Sequence, residues 1–303
     1  MVIEVTGLSK RYGQAFAVKG ASFTVQPGQV TGFLGPNGAG KSTTMRCIVG
    51  LDHPTSGQAL IGGKRYAQLV APLREVGALL DAGAAHRSRT AWNYLASIAA
   101  THRIGRSRIT EVLGRTGLTG VAGRKVGGFS LGMRQRLGIA AALLGDPQIL
   151  ILDEPVNGLD PEGVTWVRNL LRQLADEGRT VFLSSHLLSE LALIADHFVI
   201  IGRGRIIADA PLSELTGDQR PRVLVRTNRA QELVELLASD RVTTHSDQRG
   251  LLEFEGITAE QIAVRAFDNG IVLHELAPVH QTLEDAYNAI TRDAVEYTST
   301  SYQ

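Results

Sequence analysis

The fold class of this chain is decided by one stretch, Gly35-Pro36-Asn37-Gly38-Ala39-Gly40-Lys41-Ser42. The stretch follows a mostly apolar run at residues 29–34 and precedes a segment at 42–50 with a helical pattern that ends in glycine. Glycines at this spacing let successive backbone N–H groups curl around phosphate oxygens, because no Cβ blocks their approach. The sequence therefore predicts a phosphate-binding loop between a strand and a helix, with the positive end of the helix facing the anion.

The last residues of this loop carry specific chemistry. Lys41 brings a positive point charge to the β and γ phosphates, and Ser42 offers a hydroxyl to Mg²⁺. We include the neighbouring Thr43 in the nucleotide-binding set. The competing interpretation is a chance glycine turn, and the strand before the loop and the helix after it argue against that interpretation.

A second chemical signal is a strand that ends in two carboxylates. Residues 149–152 are wholly apolar, and Asp153 and Glu154 follow them directly. A buried strand delivers such residues to its C-terminal edge, where ligands bind in open α/β sheets. Asp153 is predicted to hold Mg²⁺, directly or through water, and Glu154 to orient or deprotonate an attacking water. The alternative is a charged strand end that faces solvent.

Strands without alternation, separated by helices, predict a buried parallel sheet covered on both faces. Apolar strands are predicted at 149–152 and 180–184, and helices at 131–144 and 162–177. A more polar, helical region lies between about 81 and 128. The sequence therefore indicates an α/β fold.

Composition limits the possible functions. The net charge of +1 provides no basic field for nucleic acid. The single cysteine, Cys47, cannot form an internal disulfide or a multi-cysteine zinc site, so a reducing cytoplasm is the simplest location. No uninterrupted apolar run approaches the roughly 20 residues that a membrane span requires. We therefore expect any membrane association to depend on a partner.

A polar segment at residues 216–221, TGDQRP, separates the region described above from the rest of the chain. Beyond that point we predict strand 223–227, helix 230–238, strands 241–245 and 251–255, helix 259–269, strand 271–276 and a last helix at 282–291. The βαββαβ order is the split βαβ arrangement. We expect one domain at 1–216 with a helical subdomain at about 82–145, and a small α+β domain at 217–303.

Residues 1 to about 215 resemble an ABC ATPase subunit, because several further motifs follow in the order of that family. Residues 129–136, FSLGMRQR, lie at the position of the ABC signature, whose usual form is LSGGQ. Residues 157–160, NGLD, resemble the D-loop. His186 resembles the switch histidine, and Tyr12 resembles the aromatic residue that stacks on adenine. The resemblance implies a P-loop ABC ATPase fold with a mixed sheet core and a helical subdomain.

In this family the signature of one subunit closes on the ATP that the phosphate loop of the other subunit holds. The resemblance therefore implies that Ser130 and Gly132 contact the γ-phosphate in trans, and that Asp160 belongs to the same nucleotide-binding set. It implies that His186 holds the γ-phosphate and Glu154. Alone, His186 would read as a surface histidine at a strand end. The implied partners are a second ATPase subunit and a separate integral-membrane permease, with no nucleic acid.

Two residue patterns depart from the usual family motifs. Leu131 and Met133 replace the glycine and glutamine of the signature, while Ser130 and Gly132 are retained. Asp81 stands where the Q-loop glutamine is expected, and an aspartate is shorter and offers no donor when ionised. Asp81 is a candidate Mg²⁺ ligand, and the alternative is a plain loop acid.

Both departures resemble the motifs of the exporter subgroup of bacitracin- and daunorubicin-type transporters. Residues 281–287, QTLEDAY, resemble the short helix that closes the ATPase chains of that subgroup. The resemblance implies an ATP- and Mg²⁺-dependent subunit on the cytoplasmic face of the membrane, attached only through its permease. Two alternatives stay open: a non-transport cytosolic ABC ATPase, and a subunit that binds ATP as a switch but hydrolyses it poorly. The tail could dimerise, regulate or contact the permease.

Overall fold

The computed structural model describes residues 1–186, 188–215, 221–238, 242–246, 251–279 and 283–291. The strands are β1 (Ile3–Tyr12), β2 (Ala15–Val25), β3 (Val30–Leu34), β4 (Ser56–Ile61), β5 (Val76–Leu79), β6 (Ile149–Leu152), β7 (Thr180–Ser185), β8 (His197–Gly202), β9 (Arg205–Pro211), β10 (Arg222–Thr227), β11 (Thr243–Ser246), β12 (Leu251–Glu255) and β13 (Leu273–Val279). The helices are α1 (Lys41–Ile48), α2 (Pro72–Glu75), α3 (Ala91–Thr101), α4 (Arg106–Arg115), α5 (Leu131–Leu143), α6 (Pro161–Asp176), α7 (Leu188–Ala192), α8 (Leu212–Leu215), α9 (Ala230–Leu237), α10 (Ala259–Asp268) and α11 (Leu283–Thr291).

The largest sheet has the strand order β5-β6-β7-β3-β8-β9. Its first five strands are parallel to one another, and β9 is antiparallel to β8. Every residue of β3, β6 and β7 is buried, as expected for strands that are covered on both faces. Because these three strands are parallel and neighbouring, their carboxyl ends meet at one edge of the sheet.

A second, antiparallel sheet has the order β2-β1-β4. The apolar residues at 2–5 and 21–25 predict two short strands, and these ranges correspond to the first part of β1 and the last part of β2. The two sheets share a core in which the rings of Phe23, Phe33 and Phe182 lie 5.2–5.7 Å apart.

The helices α3, α4 and α5 form the predicted helical region between β5 and β6. Arg108 on α4 donates from Nη2 to the carbonyl of Leu143 at 2.8 Å and from Nε to that of Leu144 at 3.3 Å. These carbonyls belong to the C-terminal end of α5, where a cation is favourable. These bonds anchor the C-terminal end of α5 to α4.

The chain divides into two compact units, one of Met1–Leu212 with the chain from Asn288, and one of Ser213–Tyr287. The predicted boundary at 216/217 lies outside the described residues. In the second unit the predicted βαββαβ order is present, with the antiparallel strand order β11-β12-β10-β13. Its core contains Val225, Leu233 and Phe254. Among the helices that the structure describes, none has the length and apolar character to cross a membrane.

The shared aromatic core generates a stability prediction. Phe182 has no exposed surface and contacts two other rings, so Phe182→Ala should lower the free energy of unfolding by about 3–5 kcal/mol. The matched control is Phe16→Ala, because Phe16 is 44% exposed, and we expect a loss within about 1 kcal/mol. Urea unfolding measures both. Equal losses in the two variants would contradict this description of the core.

Candidate functional site

The glycine-rich loop runs from the end of β3 to the start of α1 and lines a cavity of about 230 Å³, which we call the loop cavity. Both carboxylates that follow β6 line the same cavity, so the sheet edge brings the two sequence signals together. The lining residues are Ala17, Pro36, Asn37, Gly38, Gly40, Lys41, Ser42, Thr43, Asp153 and Glu154.

The loop needs glycine at its two ends because neighbouring backbone lies very close. A Cβ on Gly35 would lie 2.3 Å from the carbonyl oxygen of Ile201, and one on Gly40 would lie 2.5 Å from that of Ala17. Gly40 also has a φ of +110°, which residues with side chains rarely adopt. Ala39 between them is buried, with 4% exposure. The loop is thus pressed between β2 and β8.

Lys41 is the cation of the loop cavity. It is 7% exposed, and its Nζ donates to the carbonyls of Gly35 at 2.6 Å and Pro36 at 3.3 Å. Burial lowers the pKa of Lys41, while the carboxylates of Glu154 and Asp153 act in the opposite direction. A buried ammonium at the start of a helix is well suited to compensate a phosphate.

Asp153 and Ser42 supply oxygen donors to the loop cavity. Asp153 is anchored on both sides, since its N–H donates to the carbonyl of Leu79 at 2.7 Å and its Oδ1 accepts from the hydroxyl of Ser184. Hydroxyl and carboxylate oxygens beside a phosphate site fit Mg²⁺, which uses one or two protein ligands and takes the rest from phosphate and water. Within the described residues, no group of three or more His, Cys, Asp or Glu side chains could hold a metal.

Glu154 lines the loop cavity and is paired with His186, which does not line it. Nδ1 of His186 lies 2.7 Å from Oε2 of Glu154, and the two side chains are 43% and 23% exposed, respectively. The backbone of Glu154 has a φ of +50°. This left-handed conformation costs a residue with a side chain about 1–3 kcal/mol, and such strain is concentrated at functional sites.

Two residues that hold the backbone of Glu154 were not predicted as site residues. The hydroxyl of Ser184 accepts from the N–H of Glu154 at 3.0 Å, and Nε2 of Gln135 donates to the Glu154 carbonyl at 2.9 Å. Ser184 had been predicted only as the end of a strand. Its place beside the β6 carboxylates follows from the parallel pairing of β6 with β7. Buried polar residues that follow an apolar strand run are the signal that could have identified it.

Ser130 begins α5, and its hydroxyl accepts from the N–H of Met133 at 3.1 Å. Gly132 lies against the loop at residues 157–160, since a Cβ there would be 3.3 Å from Leu159 Cδ2. Neither Ser130 nor Gly132 lines the loop cavity of its own chain. Their predicted contact with phosphate in trans therefore stays a prediction.

Asp160 caps the N-terminus of α6 by accepting from the N–H of Gly163 at 2.8 Å. It does not line the loop cavity. The structure gives Asp160 a local structural role, because an N-cap aspartate satisfies a helix N–H that has no partner within the helix.

Tyr12 is 51% exposed and lies beside the loop cavity without lining it. Its hydroxyl donates to Oδ2 of Asp52 at 2.9 Å, and Arg46 holds the same oxygen at 2.7 Å. Loss of surrounding water and the bond to Asp52 raise the pKa of Tyr12, and the nearby Thr43 hydroxyl, which lines the cavity, lowers it. The Tyr12 ring is thus anchored at a fixed place near the helix that follows the loop.

Asp81 lies outside the loop cavity. Its Oδ1 accepts from the N–H of Gly83 at 2.6 Å, which forms a local turn. It lines a neighbouring cavity of about 340 Å³ together with Leu80, Ala84 and Tyr94. The structure therefore does not bring Asp81 together with Ser42 and Asp153.

Comparison with known families assigns both parts of the chain. The sequence profile of the ABC transporter family matches residues 18–157, a range that contains the phosphate loop, the signature position and both carboxylates. The profile of a family described only as a domain of unknown function matches residues 221–284.

Two similar relatives are transport ATP-binding proteins. The bacitracin transport ATP-binding protein BcrA of Bacillus licheniformis is 36% identical over 295 residues, which cover 94% of this chain and 96% of the relative. The lantibiotic transport ATP-binding protein SrtF of Streptococcus pyogenes is 36% identical over 208 residues, which cover 69% of this chain and 90% of the relative.

Solved structures show the same fold. The ATP-binding subunit of an ABC transporter matches with a TM-score of 0.65 and 28% identity, and covers 71% of this chain and 92% of that subunit. A dimeric bacterial ABC transporter cassette matches with a TM-score of 0.64 and 25% identity, and covers 69% of this chain and 98% of the cassette.

The geometry of the loop generates a prediction for two glycines. Gly40→Ala combines an unfavourable φ with the clash against Ala17, so it should cost more than the about 1–2 kcal/mol of backbone strain alone. Gly38→Ala is the matched control, because Gly38 has a φ of +79° and a Cβ at this position would have no neighbour within 4 Å. The free energy of unfolding without nucleotide measures both. A smaller loss for Gly40→Ala than for Gly38→Ala would contradict the described loop.

Proposed function

The chain belongs to the ABC transporter family of ATP-binding subunits, and from that premise we propose that two copies close around two molecules of Mg-ATP to drive a separate membrane permease. The observation that carries this proposal is the loop cavity, in which one buried lysine and two carboxylates converge. In such a subunit, hydrolysis of ATP converts chemical energy into opening and closing of the dimer.

The loop binds the triphosphate through its backbone N–H groups and Lys41. Ser42 and Asp153 would hold Mg²⁺, which supplies positive charge against the charge that develops on the phosphate oxygens. Because Ser184 and the Leu79 carbonyl already fix Asp153, its carboxylate is oriented before nucleotide binds. A carboxylate that is already fixed loses little conformational entropy when it binds the metal ion.

Glu154 acts as the general base. Its carboxylate accepts a proton from water, the water oxygen bonds to the γ-phosphorus, and the bond from that phosphorus to the bridging oxygen breaks to leave ADP and phosphate. His186 lies within hydrogen-bonding distance of Glu154 and holds the carboxylate in place. In this role His186 also meets the γ-phosphate.

The second copy completes the site. The N-terminal end of α5, with Ser130 and Gly132, is a helix terminus, where the first N–H groups lack carbonyl partners within the helix and the partial charge is positive. It binds the γ-phosphate held by the partner subunit. A similar cassette that is dimeric in its solved structure supports this arrangement.

The permease contacts the region around residues 81–93. Beside it, the neighbouring cavity is a concave surface whose mostly apolar walls also carry the acid Asp81 and the cation Arg46. Asp81 then acts at the permease contact rather than as a ligand of Mg²⁺. This contact places the subunit on the cytoplasmic face of the membrane, and we propose no nucleic acid partner.

The cargo belongs to the class of antibiotics and similar amphipathic peptides or lipid-like molecules. Support comes from relatives named as bacitracin and lantibiotic transport proteins.

Deletion of the chain in its native cell should increase sensitivity to such a compound, and unchanged sensitivity to the whole class would contradict this cargo. For the second unit, Ser213–Tyr287, we propose the role of additional dimer surface.

A poorly hydrolysing switch is the second candidate function, because Leu131 and Met133 stand where the signature usually has glycine and glutamine. Turnover of the complex with its permease separates the two functions. Sustained hydrolysis coupled to transport supports the exporter, and ATP binding without turnover supports the switch.

The role of Glu154 generates a direct prediction. Glu154→Gln keeps the length of the side chain but cannot accept a proton, so we expect ATP binding to persist, turnover to fall by about 100-fold or more, and the dimer to accumulate with ATP. Glu4→Gln is the control, because Glu4 is exposed on β1. Phosphate release and size-exclusion chromatography measure these effects. Wild-type turnover in Glu154→Gln would remove Glu154 from the role of base.

A further inference from the structure

The backbone N–H and carbonyl of Glu154 are held by groups from three different parts of the chain. Its N–H donates to Ser184 on β7 at 3.0 Å. Its carbonyl accepts from Nε2 of Gln135 on α5 at 2.9 Å and from the N–H of Asn157 at 3.2 Å. A carbonyl oxygen has two lone pairs, so it can accept both. This set of bonds surrounds a residue whose φ of +50° is unfavourable for a side-chain-bearing residue.

Gln135 is the side chain that links this peptide to the signature helix. It is 3% exposed and lies in the second turn of α5, five residues after Ser130. Its orientation is determined, because only the amide nitrogen can donate to a carbonyl. A buried amide in a helix that is otherwise apolar on this side needs a partner, and the Glu154 carbonyl is that partner.

The first turn of the same helix contacts the loop that follows Glu154. A Cβ on Gly158 would lie 2.0 Å from Cδ2 of Leu131, so the Leu131 side chain rests directly on this glycine. Helix α5 therefore touches residues 157–160 with its first turn and Glu154 with its second. A shift of α5 reaches the backbone of Glu154 through two contacts.

We propose that Gln135 is a positioning residue. It keeps the backbone of Glu154 in the left-handed conformation and thereby directs the carboxylate toward His186 and the loop cavity. Without the amide donor, the backbone of Glu154 can rotate toward a more favourable φ. Because the side chain is attached to the same Cα, this rotation moves the carboxylate. Gln135 also joins the base to the helix whose first turn meets the partner's nucleotide. This inference rests on the proposed role of Glu154 as base.

The variant that tests the proposal is Gln135→Met, which keeps length and volume but removes the donor. The rate constant of ATP hydrolysis, measured under single-turnover conditions with the full chain, should fall by about tenfold to a hundredfold. A small misplacement of a reacting group has effects of that size. The affinity for Mg-ATP should stay within about twofold, since Gln135 does not line the loop cavity. Wild-type turnover, or an equal loss of affinity and turnover, would overturn the proposal.

Gln173→Met is the matched control. Gln173 is exposed on α6, and its Nε2 donates to Oε1 of Glu177 at 3.0 Å, so the same chemical change there removes a surface hydrogen bond. We expect wild-type turnover from this variant. If Gln135→Met does not fold, as judged by its melting temperature, Gln135→Asn replaces it, because the shorter side chain keeps the amide but cannot reach the carbonyl.

A double-mutant cycle with Glu154→Gln separates positioning from a general structural role. If Gln135 acts through the carboxylate of Glu154, adding Gln135→Met to Glu154→Gln leaves the residual turnover unchanged. A further loss of tenfold or more in the double variant would show a structural role and overturn the proposal. If Glu154→Gln alone keeps wild-type turnover, the proposed function fails. If only Gln135→Met keeps it, the proposed function stands and this inference fails.

Discussion

The parallel pairing of β3, β6 and β7 is the constraint on which the site depends. Leu34 pairs with Ser185, and Leu152 pairs with Leu183, so the three strands end at the same edge of the sheet. The phosphate loop, the two carboxylates and His186 each follow one of these strands directly. Because the strands are fully buried, their ends cannot shift without disturbing the core.

Electrostatic complementarity explains why this edge suits a nucleotide rather than a neutral ligand. Lys41 is buried among backbone carbonyls and two carboxylates, and its burial opposes its charge. A bound triphosphate with Mg²⁺ gives Lys41 an anionic partner and gives Asp153 a cationic one. Glu154 differs from both, because its backbone has a φ of +50° and both its N–H and its carbonyl bond to side chains of neighbouring elements.

Much of this arrangement could be predicted from the sequence because its signals are contiguous. The loop at residues 35–42 and the acids after β6 each occupy one short stretch beside an apolar strand. Ser184 and Gln135 were not predicted as site residues, because they lie 30 and 19 residues from Glu154 and meet it only through the sheet and α5, although Gln135 belongs to the signature stretch 129–136. Strands β8 and β9 were not predicted, although they pair with each other locally as an antiparallel hairpin through residues 203–204. Asp81 is a candidate metal ligand only from its place in the chain, and that assignment stays a prediction, since the contact that the structure shows for its carboxylate is a local turn with Gly83.

The composite site between two copies is tested most directly by mixing two inactive variants. Lys41→Ala disables a phosphate loop, and Gly132→Asp disables a signature turn, so a dimer of one of each has one intact site. Equal mixing should restore about a quarter of wild-type hydrolysis, because half of the dimers are mixed and each has one of two sites. The mixture of Lys41→Ala with Glu154→Gln should restore none, since loop and base act in the same subunit. No recovery in the first mixture, despite formation of mixed dimers, would contradict the account.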